Sequence, residues 1–201
     1  QAPMAQFRKG HDTMPKFVIT GASGAGKSTL ISALATHGYA TVPEAGRQIV
    51  AEQVLAHGTA LPWLDRVAFM QLLFERSIAA FDLTANLADQ TVFFDRSFFE
   101  AIAYGSLIGH AAPQAMLQAA QARRFEARVF VCPPWKEIFT TDAERRHDFE
   151  FAARDYQANL AAYRAAGYEL VEIPRVSVQQ RVAFITGQLA HLQSFRPSNP
   201  A

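Results

Sequence analysis

The chain reads as an α/β protein of three layers, a parallel β-sheet with helices on both faces. Two observations carry this reading. Short apolar runs alternate with helical patterns from one end to the other, the signature of parallel strands joined by crossover helices. The first apolar run, Lys16-Phe17-Val18-Ile19-Thr20, leads straight into Gly21-Ala22-Ser23-Gly24-Ala25-Gly26-Lys27-Ser28-Thr29, a complete phosphate-binding loop that opens a helix.

Each element follows from its own pattern. After the loop, Leu30, Ile31, Leu34 and Ala35 recur at helical spacing until Gly38 stops the helix. Tyr39 to Val42 predicts a second strand ending at Pro43, Glu44 to His57 a helix, and Gly58 to Pro62 a loop. Trp63 to Asn86 predicts a long helix with Leu64, Val67, Ala68, Leu72 and Leu73 on its core face. Thr91 to Phe94 is the third predicted strand, followed by helices from Phe98 to Leu107 and from Pro113 to Arg124. Ala127 to Cys132 is the fourth strand, closed by Pro133-Pro134. Phe149 to Ala166 predicts a helix capped by Gly167, Tyr168 to Ile173 the fifth strand, and Val176 to Leu192 the last helix.

Length and composition bound the rest. A chain of 201 residues, half of them hydrophobic, is large enough for one buried core, and residues 14–195 are expected to form a single domain. Residues 1–13 are polar and aperiodic, so they read as an upstream extension or a remnant of cloning, and residues 196–201 as a loose tail. A formal net charge of +1 offers no general attraction to nucleic acid or to an anionic membrane. No apolar run approaches the length of a membrane span. The single cysteine, Cys132, lies in an apolar strand and reads as a buried structural thiol, which fits a reducing cytoplasm. The six histidines show no metal-ligand spacing, so no zinc site is expected.

The chemistry starts at the loop. Gly21, Gly24 and Gly26 let the backbone curl so that successive N–H groups face phosphate oxygens, and the following helix aims its positive end at the same anion. Lys27 is expected to face solvent in the free protein and to reach the β- and γ-phosphates of ATP or GTP. Ser28 is expected to ligate Mg²⁺. In parallel sheets ligands bind beyond the carboxyl ends of the strands, so polar residues there matter most. The third strand ends in Asp95-Arg96-Ser97. Asp95 is placed for the Mg²⁺ shell, since that ion takes oxygen ligands, and Arg96 can hold a phosphate through its planar fork. The second strand ends in Glu44, which can accept the proton of an attacking hydroxyl or water, and Arg47 is within pairing reach on the same helical face. Asp142 to His147 contains Arg145 and Arg146, a paired-arginine segment suited to neutralising charge that develops during phosphoryl transfer. Trp63 reads as a core anchor, with Asp65 and Arg66 facing water, and Ile173 to Ser177 stands where a base-stacking loop is expected.

These motifs resemble the nucleoside and nucleotide kinase branch of P-loop proteins. Within it they are similar to the small AAA-type kinase-like domain family that includes ribosylnicotinamide kinase domains. The matching segments are Gly21 to Thr29, Val42-Pro43-Glu44-Ala45-Gly46-Arg47, Phe93-Phe94-Asp95-Arg96-Ser97 and a lid-like Asp142 to Arg146. The resemblance implies a five-stranded parallel core of order 2-3-1-4-5 and transfer of the γ-phosphoryl group to a small acceptor, with Glu44 as base. The chain departs from those kinases in a lid without Arg-x-Arg spacing and in Ala45 where they carry proline. A second class of function uses the same motifs: a regulatory module that hydrolyses ATP or GTP and signals to a protein partner. The absence of an Asn-Lys-x-Asp segment argues against a Ras-like guanine reader. A kinase needs an enclosed acceptor pocket, whereas a switch needs exposed segments that respond to the γ-phosphate.

Overall fold

A computed structural model describes residues 15–87, 90–139 and 148–194. Five parallel strands form one sheet in the order β2-β3-β1-β4-β5. They are β1 (Lys16–Gly21), β2 (Ala40–Val42), β3 (Val92–Asp95), β4 (Arg128–Cys132) and β5 (Glu169–Glu172). This is the strand order that the resemblance implies. The three inner strands are near-continuous apolar runs because helices cover both faces of a parallel sheet. The edge strands β2 and β5 are short and half-exposed.

Seven α-helices are described: α1 (Lys27–Thr36), α2 (Ala45–Leu55), α3 (Arg66–Leu83), α4 (Phe99–Leu107), α5 (Gln114–Gln121), α6 (Phe149–Ala165) and α7 (Val178–Ser194). Helices α1 and α7 pack together, while α4 packs against both α3 and α6. The sequence places all five strands and all seven described α-helices, and their bounds differ only at the ends; the 3₁₀ turn at Lys136–Ile138 is not foreseen. Gly38 and Gly167 follow the ends of α1 and α6, as read.

The long helix α3 differs most from expectation. It starts at Arg66, after Asp65 accepts a hydrogen bond from the Ala68 N–H at 2.9 Å. It ends in a 3₁₀ turn over Thr84–Asn86. The predicted core face is also wrong in part. Leu64 precedes the helix and is exposed, and Val67, Ala68, Leu72 and Leu73 are only half-buried. Full burial falls on Phe69, Met70, Phe74, Ser77 and Phe81. The reason is ring packing, since aromatic side chains bury the most apolar area per residue. Phe81 meets Phe125 edge-on at 5.0 Å and Phe98 at 5.9 Å, and Phe74 meets Phe98 at 6.3 Å. This aromatic cluster joins α3 to the sheet through Phe94 and leaves the half-buried stripe of α3 free to line a cavity. Among the described residues no helix is long and apolar enough to cross a membrane.

Candidate nucleotide and phosphoryl-transfer site

The register of β1 against its neighbours assembles the site. Ile19 pairs with Asp95 of β3, and Gly21 pairs with Cys132 of β4. At Gly21 the chain turns hard against β4, with φ of +132° and the Ala22 N–H donating to the Cys132 carbonyl at 3.0 Å. A Cβ on Gly21 would meet that carbonyl oxygen at 2.1 Å, so only glycine fits there. Gly26, also at positive φ, precedes α1 without a side-chain cap. The first N–H groups of α1 therefore have no capping side chain, the arrangement that suits a phosphate.

Lys27 departs from the expectation of a solvent-facing side chain. It is buried, and its ammonium donates to the Gly21 and Ala22 carbonyls at 3.2 and 2.7 Å. A buried cation must be hydrogen-bonded, and the loop's own carbonyls are within its reach. Burial, then the nearby Arg96 charge, lowers its pKa. On the other side of the loop, Arg181 of α7 is equally buried. Its guanidinium donates to the Gly26 carbonyl at 3.4 Å, the Ala25 carbonyl at 3.3 Å and the Cys132 sulfur at 2.8 Å. In a planar trans peptide C=O and N–H point in opposite directions. Holding the Ala25 and Gly26 carbonyls therefore turns the N–H groups of Gly26 and Lys27 away from Arg181. The sequence has no local signal for this role, because an arginine in an amphipathic helix reads as solvated. Cys132 is fully buried, and burial pushes its thiol pKa up.

Asp95 is buried at the end of β3, with Ser28 Oγ 3.4 Å from its Oδ2 and no hydrogen-bond partner for its Oδ1. Burial, reinforced by the Glu44 charge, pushes its pKa up to about 6. A hydroxyl, a carboxylate and an orphaned carboxylate oxygen are all hard donors, and Mg²⁺ takes one or two protein oxygens alongside phosphate and water. Ser28 and Asp95 thus fit that ion.

Arg96 does not stand on a solvated face. It adopts a left-handed φ of +68°, rare outside glycine, and its Nε lies 3.2 Å from Glu44 Oε1. Its Nη1 lies 3.6 Å from Asp155 Oδ2 on α6. Burial pulls the Arg96 pKa down, but Glu44 and Asp155 outweigh it, so the guanidinium stays charged. Glu44 precedes α2, and Arg47 Nε is 4.0 Å from its Oε2, the pairing that i, i+3 spacing predicts. Arg145 and Arg146, the leader 1–13 and the tail 196–201 lie outside the described residues.

Two cavities meet at Glu44. One, of about 510 Å³, lies over the phosphate loop between Trp135 and Ile138 on one side and Val176, Ser177 and Arg181 on the other. The expected base-stacking loop thus contributes Val176 and Ser177. The second, of about 400 Å³, runs between α2, α3 and α4 and is lined by Val50, Phe69, Leu73 and Tyr104. Ser23, Glu44 and Arg47 line both. Trp63, read as a core anchor, and Arg66, read as facing water, both line the second cavity. At its inner end lies Glu100, a buried carboxyl that the sequence reading missed. It accepts from Thr20 Oγ1 at 2.5 Å, from the Ser97 N–H at 2.8 Å and from the Tyr163 hydroxyl at 2.8 Å, while burial raises its pKa. The signal was present: Ser97-Phe98-Phe99-Glu100 matches the Ser-x-x-Glu pattern, in which the glutamate accepts from the serine N–H, as Glu100 does here. Asp155 carried no such mark, being one polar residue among many on α6.

A parallel sheet of this order with its phosphate loop after β1 defines a P-loop kinase fold. The comparisons agree. A deoxyadenosine kinase from M. mycoides, solved with products dCMP and a flexible dCDP bound, aligns with a TM-score of 0.63 at 15% identity, covering 88% of this chain and 99% of that one. The thymidylate kinase of Ehrlichia chaffeensis aligns at 0.57 and 15% identity, covering 88% and 98%. That of Candida albicans aligns at 0.57 and 14% identity, covering 94% and 96%. The AAA domain family profile matches residues 16–181, and the chain belongs to that family. No curated protein sequence matches significantly.

Two predictions follow from the buried charges. Asp95 has a folded pKa near 6 against an ordinary value of 3.8, so its burden on the fold is absent below pH 4 and grows as pH rises toward 6. In EDTA without nucleotide, Asp95→Asn is expected to be more thermostable than the wild type at pH 7, by roughly 3 kcal/mol. The gap should close below pH 4, and an equal melting temperature at both pH values would refute it. Arg181→Gln is expected to weaken Mg²⁺-ATP binding about ten- to a hundred-fold in calorimetry, the worth of charged hydrogen bonds that hold the loop. Unchanged affinity would make Arg181 a packing residue only.

Proposed function

We propose that the protein is a Mg²⁺-dependent kinase that transfers the γ-phosphoryl group of ATP or GTP to the hydroxyl of a small acceptor. One observation carries the reading: the cavity over the phosphate loop and a second cavity between α2, α3 and α4 share Glu44. A hydrolytic switch has no use for a second, largely apolar cavity at its γ-phosphate end. The structural neighbours, a deoxyadenosine kinase and thymidylate kinases, support the same reading.

The residues then divide the work. The loop from Gly21 to Thr29 binds the triphosphate, and Lys27 leaves the loop carbonyls for the β- and γ-phosphates. Ser28 and Asp95 would hold Mg²⁺, which screens the phosphate charge when bound. Glu44 accepts the proton from the acceptor hydroxyl as its oxygen attacks the γ-phosphorus. Arg96 fixes the Glu44 carboxylate by pairing with it and is itself held from behind by Asp155. Arg145 and Arg146 are proposed to cover the transferring group. Such an enzyme acts on small molecules and needs neither nucleic acid nor a membrane.

Lys27→Ala is expected to lose tight binding of both ATP and GTP in calorimetry while circular dichroism shows the fold retained. Wild-type affinity for both would sink the loop assignment. Glu44→Gln keeps an oxygen for Arg96 yet takes a proton poorly, so turnover should fall about 10²–10⁴-fold with the KM for ATP nearly unchanged. Full turnover in this variant would remove Glu44 from the role of base.

A further inference from the structure

We propose that the acceptor is an uncharged alcohol with a hydrocarbon or aromatic body, rather than a nucleoside or a phosphorylated compound. This rests on the kinase reading above and concerns what the cavity between α2, α3 and α4 can hold. Its volume of about 400 Å³ suits a single small molecule. Phe69 of α3 meets Tyr104 of α4 edge-on at 5.5 Å, while Phe81 of α3 meets Phe98 at the start of α4. The two helices therefore run antiparallel, and the cavity extends between them. Ser77 and Glu100 mark its inner end beside the phosphate loop, and Trp63, Arg66 and Ile108 its outer end.

The middle of this channel is walled by Val50, Phe69, Leu73 and Tyr104. Among the described residues its lining contains no Asn, Gln, His or Lys. The polar groups at the inner end are largely committed. Glu100 is held by Thr20, Ser97 and Tyr163, and the Ser97 hydroxyl is 2.6 Å from that of Tyr163. The Tyr104 hydroxyl is directed at the Pro62 carbonyl at 3.5 Å. A nucleobase brings several edge donors and acceptors, and each one buried without a partner costs about 1–3 kcal/mol. Besides its charged groups, Ser97 and Tyr104, the polar side chains of the lining are Ser23, Trp63 and Ser77, too few to satisfy such an edge.

Charge argues against a phosphorylated acceptor. The lining holds three arginines, Arg47, Arg66 and Arg96, against four carboxyl groups, Glu44, Asp95, Glu100 and Asp155. Arg96 is already shared by Glu44 and Asp155, and Arg47 lies beside Glu44. A dianionic monophosphate would enter a site with no surplus of positive charge. An alcohol meets the opposite conditions. Its hydroxyl reaches Glu44 at the shared mouth, and its apolar body replaces water along the channel. The step balances: the acceptor oxygen bonds to the γ-phosphorus, its proton passes to Glu44, and the bond from that phosphorus to the β-phosphate oxygen breaks. ADP leaves with the electron pair, and the product is a phosphomonoester.

The test offers the full chain Mg²⁺-ATP with three sets of acceptors. These are uncharged aromatic and terpenoid primary alcohols, nucleosides including nicotinamide riboside, and nucleoside monophosphates. ADP release and transfer of labelled phosphate to the acceptor are both measured. The expected result is labelled phosphomonoester from at least one apolar alcohol, with ADP release raised about tenfold or more, and none from the other two sets. Val50→Thr, which changes a methyl to a hydroxyl at nearly constant volume, should raise the KM for that alcohol about tenfold and leave the KM for ATP in place. Leu73→Gln should do the same more strongly. Labelled product from a nucleoside or monophosphate but from no apolar alcohol overturns this inference and leaves the kinase reading standing. ADP release that no acceptor changes, with no labelled acceptor, overturns both. An alcohol whose KM ignores both variants shows that it binds elsewhere, and overturns the cavity assignment.

Discussion

The site depends on the close approach of the first turn to the fourth strand. Gly21 lies against the Cys132 carbonyl with no room for a side chain, and the register of β1 with β3 sets Asp95 beside Ser28. Backbone pairing in a sheet fixes positions to fractions of an ångström, so residues from three strands reach one edge in a set geometry. The loop is then gripped from two sides. Lys27 holds the carbonyls at its start and Arg181 those at its end. The Arg181 contacts at the end of the loop leave the N–H groups of Gly26 and Lys27 to meet phosphate.

Electrostatics at the junction of the two cavities are balanced by pairs, not by solvent. Arg96 takes Glu44 on one side and Asp155 on the other, and the carboxylates outweigh the burial that would lower its pKa. Asp95 is left with an unpartnered oxygen and a pKa near 6, the mark of a buried carboxyl short of cations. Glu100 accepts hydrogen bonds from Thr20, Ser97 and Tyr163 and ties β1, α4 and α6 together beneath the reacting groups. A buried polar network with every oxygen engaged sets one geometry, whereas the lone oxygen of Asp95 is poised for a ligand.

The aromatic cluster between α3, α4 and the sheet has a functional consequence. By drawing Phe74 and Phe81 inward, it rotates α3 so that Phe69 and Leu73 flank the second cavity. Core packing here decides the shape of the chamber that faces Glu44.

Alternation of strands and helices, the glycine-rich loop and the residues that end each strand were legible in the chain itself, because strand and helix periods and glycine-dependent turns are local. So were Asp95, Arg96 and Glu44, which a parallel sheet delivers to its carboxyl edge wherever its strands stop. The tertiary structure alone decided that Lys27 lies buried on carbonyls, that Arg181 and Asp155 belong to the site, and which stripe of α3 is core. The roles of Arg181 and Asp155 come from α7 and α6 packing beside segments far earlier in the chain, and the core stripe of α3 from its rings packing on Phe94, Phe98 and Phe125. A polar side chain on a helix carries no local trace of the partner it will find there.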